Sequence, residues 1–210
     1  MLPQRLGTLL LVVLLWVGGG LPVRAEQVSV AQLLDAKADY VADFYLTSGG
    51  SRYQGSVVHA PGRERREFDT PAGRQILLLR RDIDEAAVVL PDRKLYLRTS
   101  FQAMAGMVGG FDDVVLDRSP TGAEKVSGQS TTRYAIAGAG GQSGRFTGTV
   151  WMTKDGILMR ARGRVLFNGR DTPVELGLTA LRRIKADPSA FVPPAGYTGI
   201  PLDLSKLGLH

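Results

Sequence analysis

From Ala38 onward the chain alternates with period two. Tyr40, Ala42, Phe44 and Leu46 fall on one side, with Asp43 and Thr47 on the other. Successive side chains of a strand point to opposite faces, so this is a half-buried strand rather than a helix. Further strands are predicted over 53–60, 63–70, 76–80, 86–90 and 94–98. They are separated by Gly49-Gly50, Pro61-Gly62, Pro71-Ala72-Gly73 and Pro91-Asp92. Turn signals at that spacing predict an antiparallel meander. A second series covers 124–126, 132–137, 145–153, 158–166 and 174–184. Lys154-Asp155-Gly156 and Asn168-Gly169 supply tight hairpin turns, and the glycine-rich run 138–144 forms a loose tip. The runs amount to ten or eleven short strands in one domain, with no linker and no repeat of fixed period.

Two segments have helical spacing instead. Ser29 can cap a short helix through Val30, Leu33 and Leu34. Over 101–111, Phe101, Met104, Met107 or Val108, and Phe111 recur on one helical face. Gly106, Gly109 and Gly110 weaken that helix by about 1 kcal/mol each relative to alanine. It fits either an ordinary plug on the open face of a sheet or a hinged lid over an apolar pocket. Methionine adapts to irregular ligands, and an apolar sheet face must be covered by something.

The first 25 residues have a different pattern. Arg5 precedes an unbroken apolar run of nine residues, 9–17, which Gly18, Gly19 and Gly20 end; Val23-Arg24-Ala25 follows. This is the layout of a secretory signal peptide cleaved after Ala25, and the run is too short to span a bilayer. On this expectation the working chain is 26–210. Its net charge falls from +6 to +4, because Arg5 and Arg24 leave with the leader. The 210 residues include no cysteine, which excludes disulfides, thiolate metal sites, a cysteine nucleophile and a lipidated cysteine anchor. An exported, unlipidated chain of this kind fits a bacterial periplasm.

Candidate chemistry is sparse. The two histidines are His59, read as a surface residue beside the Pro61 turn, and the terminal His210. No Gly-x-Ser-x-Gly elbow is present, and Asp82-Ile83-Asp84-Glu85 and Asp112-Asp113 read as solvated turns. The arginines of 63–66, 80–81, 160–164 and 182–183 are interleaved with acids or alternate along strands. That argues against nucleic acid and is compatible with attraction to anionic lipid headgroups. The chain is therefore read as a non-enzyme with no cofactor and no metal.

The order of several weak signals resembles the LolA-like fold. They are Gln54-Gly55-Ser56-Val57-Val58, Pro61-Gly62-Arg63-Glu64-Arg65-Arg66-Glu67-Phe68, Pro71, Gln75-Ile76-Leu77, Leu90-Pro91 and Lys94-Leu95-Tyr96. Gly148-Thr149-Val150-Trp151, Lys154-Asp155-Gly156, Asp187-Pro188, Phe191-Val192-Pro193 and Gly196-Tyr197 follow. Members of that family carry outer-membrane lipoproteins or related lipids across the periplasm. The resemblance implies a mainly β (α+β) fold: a strongly curved antiparallel sheet, or incomplete β-barrel, with short helices plugging its concave apolar face. It also implies a gate arginine on the strand after the Pro-Gly turn, which corresponds to Arg65. The sequence departs from the family pattern at Glu64 and Arg66, and at Arg81-Asp82-Ile83-Asp84 in place of an Asp-Gly.

Together these readings predict a monomeric periplasmic carrier or binding protein. It would hold a lipid or lipoprotein acyl chains in an apolar cavity gated by the 101–111 helix. The predicted lining is Phe44, Leu46, Phe101, Met104, Met107, Phe111 and Trp151, with Arg65 as the gate. Partners would be the lipid itself and, transiently, inner- or outer-membrane proteins. The alternative is an envelope-stress sensor of the same fold that binds a membrane-protein partner.

Overall fold

The structure is a computed structural model that describes residues 25–107, 114–140, 144–167 and 169–202. Among these residues thirteen strands form one curved sheet that does not close. The first seven are β1 (Glu26–Ser29), β2 (Tyr40–Ser48), β3 (Ser51–Ala60), β4 (Arg63–Thr70), β5 (Gly73–Arg80), β6 (Glu85–Leu90) and β7 (Leu95–Thr99). The rest are β8 (Val115–Val126), β9 (Gln129–Gly140), β10 (Gly144–Met152), β11 (Leu158–Phe167), β12 (Arg170–Arg183) and β13 (Thr198–Pro201). Their spatial order is β1-β8-β9-β10-β11-β12-β2-β3-β4-β5-β6-β7-β13. Every pair is antiparallel except β7 with β13. The mainly β, curved and incomplete architecture expected from the sequence is the one observed.

The strand count exceeds the expected ten or eleven for a physical reason. β1 and β13 are four-residue edge strands, too short to show alternation. β8 begins nine residues before its predicted start, through the polar stretch Asp117–Glu124, because pairing with β9 and β1 rather than burial holds it.

Two short helices lie among the described residues: α1 (Val30–Leu34) and α2 (Phe101–Met107). Ser29 caps α1 as expected. Its hydroxyl accepts from the Gln32 N–H at 3.1 Å, and the Gln32 side chain accepts from the Ser29 N–H at 3.0 Å. Buried Leu33 packs with Val28, Val114, Leu116, Ile136 and Val150. α2 is tied at its start to the β5–β6 turn: Asp84 Oδ1 accepts from the Gln102 N–H at 3.0 Å, and Ser100 Oγ from the Ala103 N–H at 2.9 Å.

β5 is apolar on both faces, which explains its unbroken Ile76-Leu77-Leu78-Leu79 run. Ile76 and Leu78 join Ala87 and Val89 on one face, where Tyr96 and Tyr197 pack against them. The turn Pro188–Phe191 lies near β4 and β5, with Phe191 buried. Leu77 and Leu79 point the other way, toward α1 and β2.

Gly55 fixes how closely β2, β3 and β4 approach. It lies across from Phe44 on one side and Phe68 on the other, and an added Cβ would stand 1.8 Å from the Glu67 carbonyl oxygen. Gly55→Ala must push backbone aside. The expected loss is about 3 kcal/mol, the upper end of ordinary overpacking, read as a lower urea midpoint with an unchanged slope.

Candidate functional site

The pairing register brings one set of side chains to a common face. Phe44, Gly55 and Phe68 align across β2–β4, and Val57, Arg66 and Leu77 across β3–β5. Tyr40, His59, Glu64 and Leu79 align across β2–β5. Leu46 joins them between Tyr53 and Leu176. Because Gly55 has no side chain, the Phe44 and Phe68 rings meet edge-on at 6.3 Å. The result is a groove of about 400 Å³. Leu34, Phe44, Leu46, Tyr53, Phe68, Leu77, Leu79 and Leu176 line it, and Glu64, Arg66 and Arg81 supply its charges. Its size falls in the range of small-molecule sites.

The charges form a buried cluster. Arg66 Nε donates to Glu64 Oε1 at 2.7 Å, and its guanidinium lies 5.1 Å from the Phe44 ring centre. Burial pushes the Glu64 carboxyl up, but the charge and hydrogen bond of Arg66 and the more distant Arg81 outweigh it. They hold Glu64 well below the usual carboxylate range. Burial, with Glu64 nearby, drives the Tyr40 hydroxyl above its ordinary value. Tyr40 stacks on His59 with ring centres 4.9 Å apart.

His59 is fully buried, which corrects the surface reading. Its Nε2 stands 3.1 Å from the Ala36 carbonyl oxygen. A carbonyl only accepts, so Nε2 donates to it, and Nδ1 faces Glu64 at 3.6 Å, too far for a hydrogen bond. Asp35 Oδ1 accepts from the Gly62 N–H at 2.8 Å, which ties the end of α1 to the β3–β4 turn. Among the described residues no three His, Asp or Glu side chains converge as a metal would require.

The predicted lining divides. Phe44 and Leu46 line the groove. Phe101 stands at its border, 5.4 Å beneath the Arg81 guanidinium. Met104 is half-buried on α2, Met107 ends that helix without a described side chain, and Phe111 lies outside the described residues. Trp151 is buried in the same core cluster as Phe44 but does not line the groove. In the register Val150, not Trp151, is in phase with Ala161 and Leu176.

Arg65 points to the opposite face of β4. There it pairs with Glu67 at 2.6 Å and donates to the Ala190 carbonyl oxygen at 3.2 Å. The groove-facing arginines are Arg66 and Arg81. Glu64, Arg66, Phe68 and Leu79 were not predicted as site residues, although the signal was present. A two-residue Pro61-Gly62 turn pairs His59 with Glu64 and Val57 with Arg66, which puts both on the same face as the apolar residues of β2.

No family model matches the chain, and no curated protein matches it at a significant level. Solved structures do. A conserved protein from Thermus thermophilus described as uncharacterised is 11% identical over 79% of this chain and 91% of its own, with a TM-score of 0.50. MucB, also solved in complex with MucA(peri), is 13% identical over 80% of this chain and 62% of its own, with a TM-score of 0.50. The chain thus spans less than two thirds of MucB. A proposed outer membrane lipoprotein-sorting domain from Vibrio parahaemolyticus is a looser likeness. It is 12% identical over 77% of this chain and 92% of its own, with a TM-score of 0.37. At these identities the likeness to the Thermus protein and to MucB is one of fold alone.

Proposed function

We propose that this chain is a periplasmic carrier or binding protein that holds the acyl part of a lipid or lipoprotein non-covalently. The observation that carries this is the apolar groove on the inner face of an open sheet, walled by Phe44, Leu46, Phe68, Leu77, Leu79 and Leu176. Each methylene buried there contributes about 0.8 kcal/mol, so about eight supply roughly 6 kcal/mol before association costs. α2, held by Asp84 and stacked under Arg81, is the movable element at the border, and it acts as the gate. The protein works as a monomer without cofactor and carries out no chemistry. Residues 1–25 direct it to the periplasm and are then removed.

Delipidated protein is expected to take up a fluorescent fatty acid saturably, near one per chain, and unlabelled fatty acid or lipopeptide to compete for the site. Absence of uptake ends the carrier role. A second role is supported by the fold shared with MucB, a protein seen with a protein partner. In that role the same body senses or regulates a membrane-bound partner. A pull-down that returns a stoichiometric protein and no lipid would favour it.

A further inference from the structure

We infer that the groove takes an amphiphile with an oxyanion head, a carboxylate or a phosphate, and that Arg81 binds the head. This rests on the groove being an acyl-chain site and adds the polar end of its ligand. The groove holds two guanidiniums and one closely paired carboxylate. Arg66 is satisfied by Glu64 at 2.7 Å. Arg81 is not matched in this way. Only 12% of its side chain is exposed, and among the described residues neither its Nε nor its Nη1 has a hydrogen-bond partner.

Its nearest carboxylate among the described residues, Asp35, stands 3.8 Å away, beyond hydrogen-bond reach, and the oxygen facing Arg81 already accepts from the Gly62 N–H. Arg81 lies over Phe101 on one side and borders the apolar walls formed by Leu34, Leu77 and Leu79 on the other. A buried cationic fork with free donors is the half-site of a bidentate oxyanion pair. A neutral ester- or amide-linked acyl chain offers only carbonyl oxygens and leaves that charge uncompensated. A fatty-acid carboxylate or an alkyl phosphate places its chain along the groove and its charge on Arg81.

The test is calorimetric titration of full, delipidated protein with dodecanoate, dodecyl phosphate, dodecanol and inorganic phosphate, each below its aggregation limit. At least one anionic amphiphile is expected to bind about tenfold tighter than dodecanol, with no binding of inorganic phosphate alone. The two anionic arms identify which head is preferred. Arg81→Met is expected to erase the preference while keeping dodecanol binding. Arg164→Met, at an exposed arginine paired with Asp171, is expected to keep the preference, which excludes general attraction to a basic protein.

Equal affinity of all three amphiphiles for the unaltered protein overturns the Arg81 site and leaves the acyl groove standing. Absence of binding by any amphiphile overturns both. If Arg81→Met does not fold, Arg81→Gln replaces it, and the comparison on the unaltered protein decides the question alone.

Discussion

Glu64→Leu is expected to lower the unfolding free energy by about 3–5 kcal/mol, whereas Glu64→Leu combined with Arg66→Met is expected to come back close to the starting stability. Glu64 is 2% exposed and its carboxylate is the close partner of Arg66. Removing it alone strands a guanidinium among Phe44, Val57 and Leu77. Removing both charges leaves two apolar side chains of similar length in an apolar groove. For a chain of this size the single substitution amounts to a fall in melting temperature of about 10 °C. Urea denaturation of the two variants checks this, and equal losses in both would contradict the pairing.

The same pair sets an acid dependence. The Glu64 carboxyl is held below its unfolded value, so its stabilisation is complete above the unfolded carboxylate pKa of about 4.3. It is lost only as pH falls through that value toward the lower folded one. Between about pH 5 and pH 3 the unaltered protein is expected to lose more stability than the double variant.

Leu46→Trp is expected to abolish acyl-chain uptake while leaving the fold intact. Leu46 sits on β2 between Tyr53 and Leu176 and lines the groove. An indole there intrudes between the Tyr53 and Leu176 walls and narrows the groove where a chain would lie. The position is half-buried, so the backbone need not move. Val192→Trp, at a site 44% exposed on the other side of the sheet, supplies a control of equal bulk. Fluorescent fatty-acid titration should fall below detection in the first variant and stay unchanged in the second. Uptake by both would place the acyl site elsewhere.

Much of this fold was legible in the chain because alternation and turn residues carry it. Tyr40, Ala42, Phe44 and Leu46 alternate, Pro61-Gly62 and Lys154-Asp155-Gly156 punctuate, and Ser29 caps. Each signal is local and found its expected element. The edge strands β1 and β13 were not legible, since four residues give alternation nothing to repeat and β13 depends on a parallel partner, β7, that lies far back in the chain (Thr198 pairs with Leu95).

The site was half legible. Phe44 and Leu46 announce themselves by type and phase. Glu64 and Arg66 read as solvated strand charges, because charged residues are rarely buried unless paired. Their pairing becomes visible only when the hairpin register is written out. The same register sends Arg65, one position along, to the opposite face. His59 is similar: beside a proline turn it looks exposed, yet β2, the end of α1 and β4 place Tyr40, Asp35 and Glu64 around it.

The central claim is that the groove holds an acyl chain. Native mass spectrometry of the protein purified from its own host, sprayed gently enough to keep non-covalent ligands, tests it most directly. The expected spectrum shows the chain plus one discrete added mass of an acyl-bearing anion, which disappears on delipidation and is absent in Leu46→Trp. A spectrum of the bare chain alone, combined with no uptake of fatty acid by the same preparation, would contradict the claim.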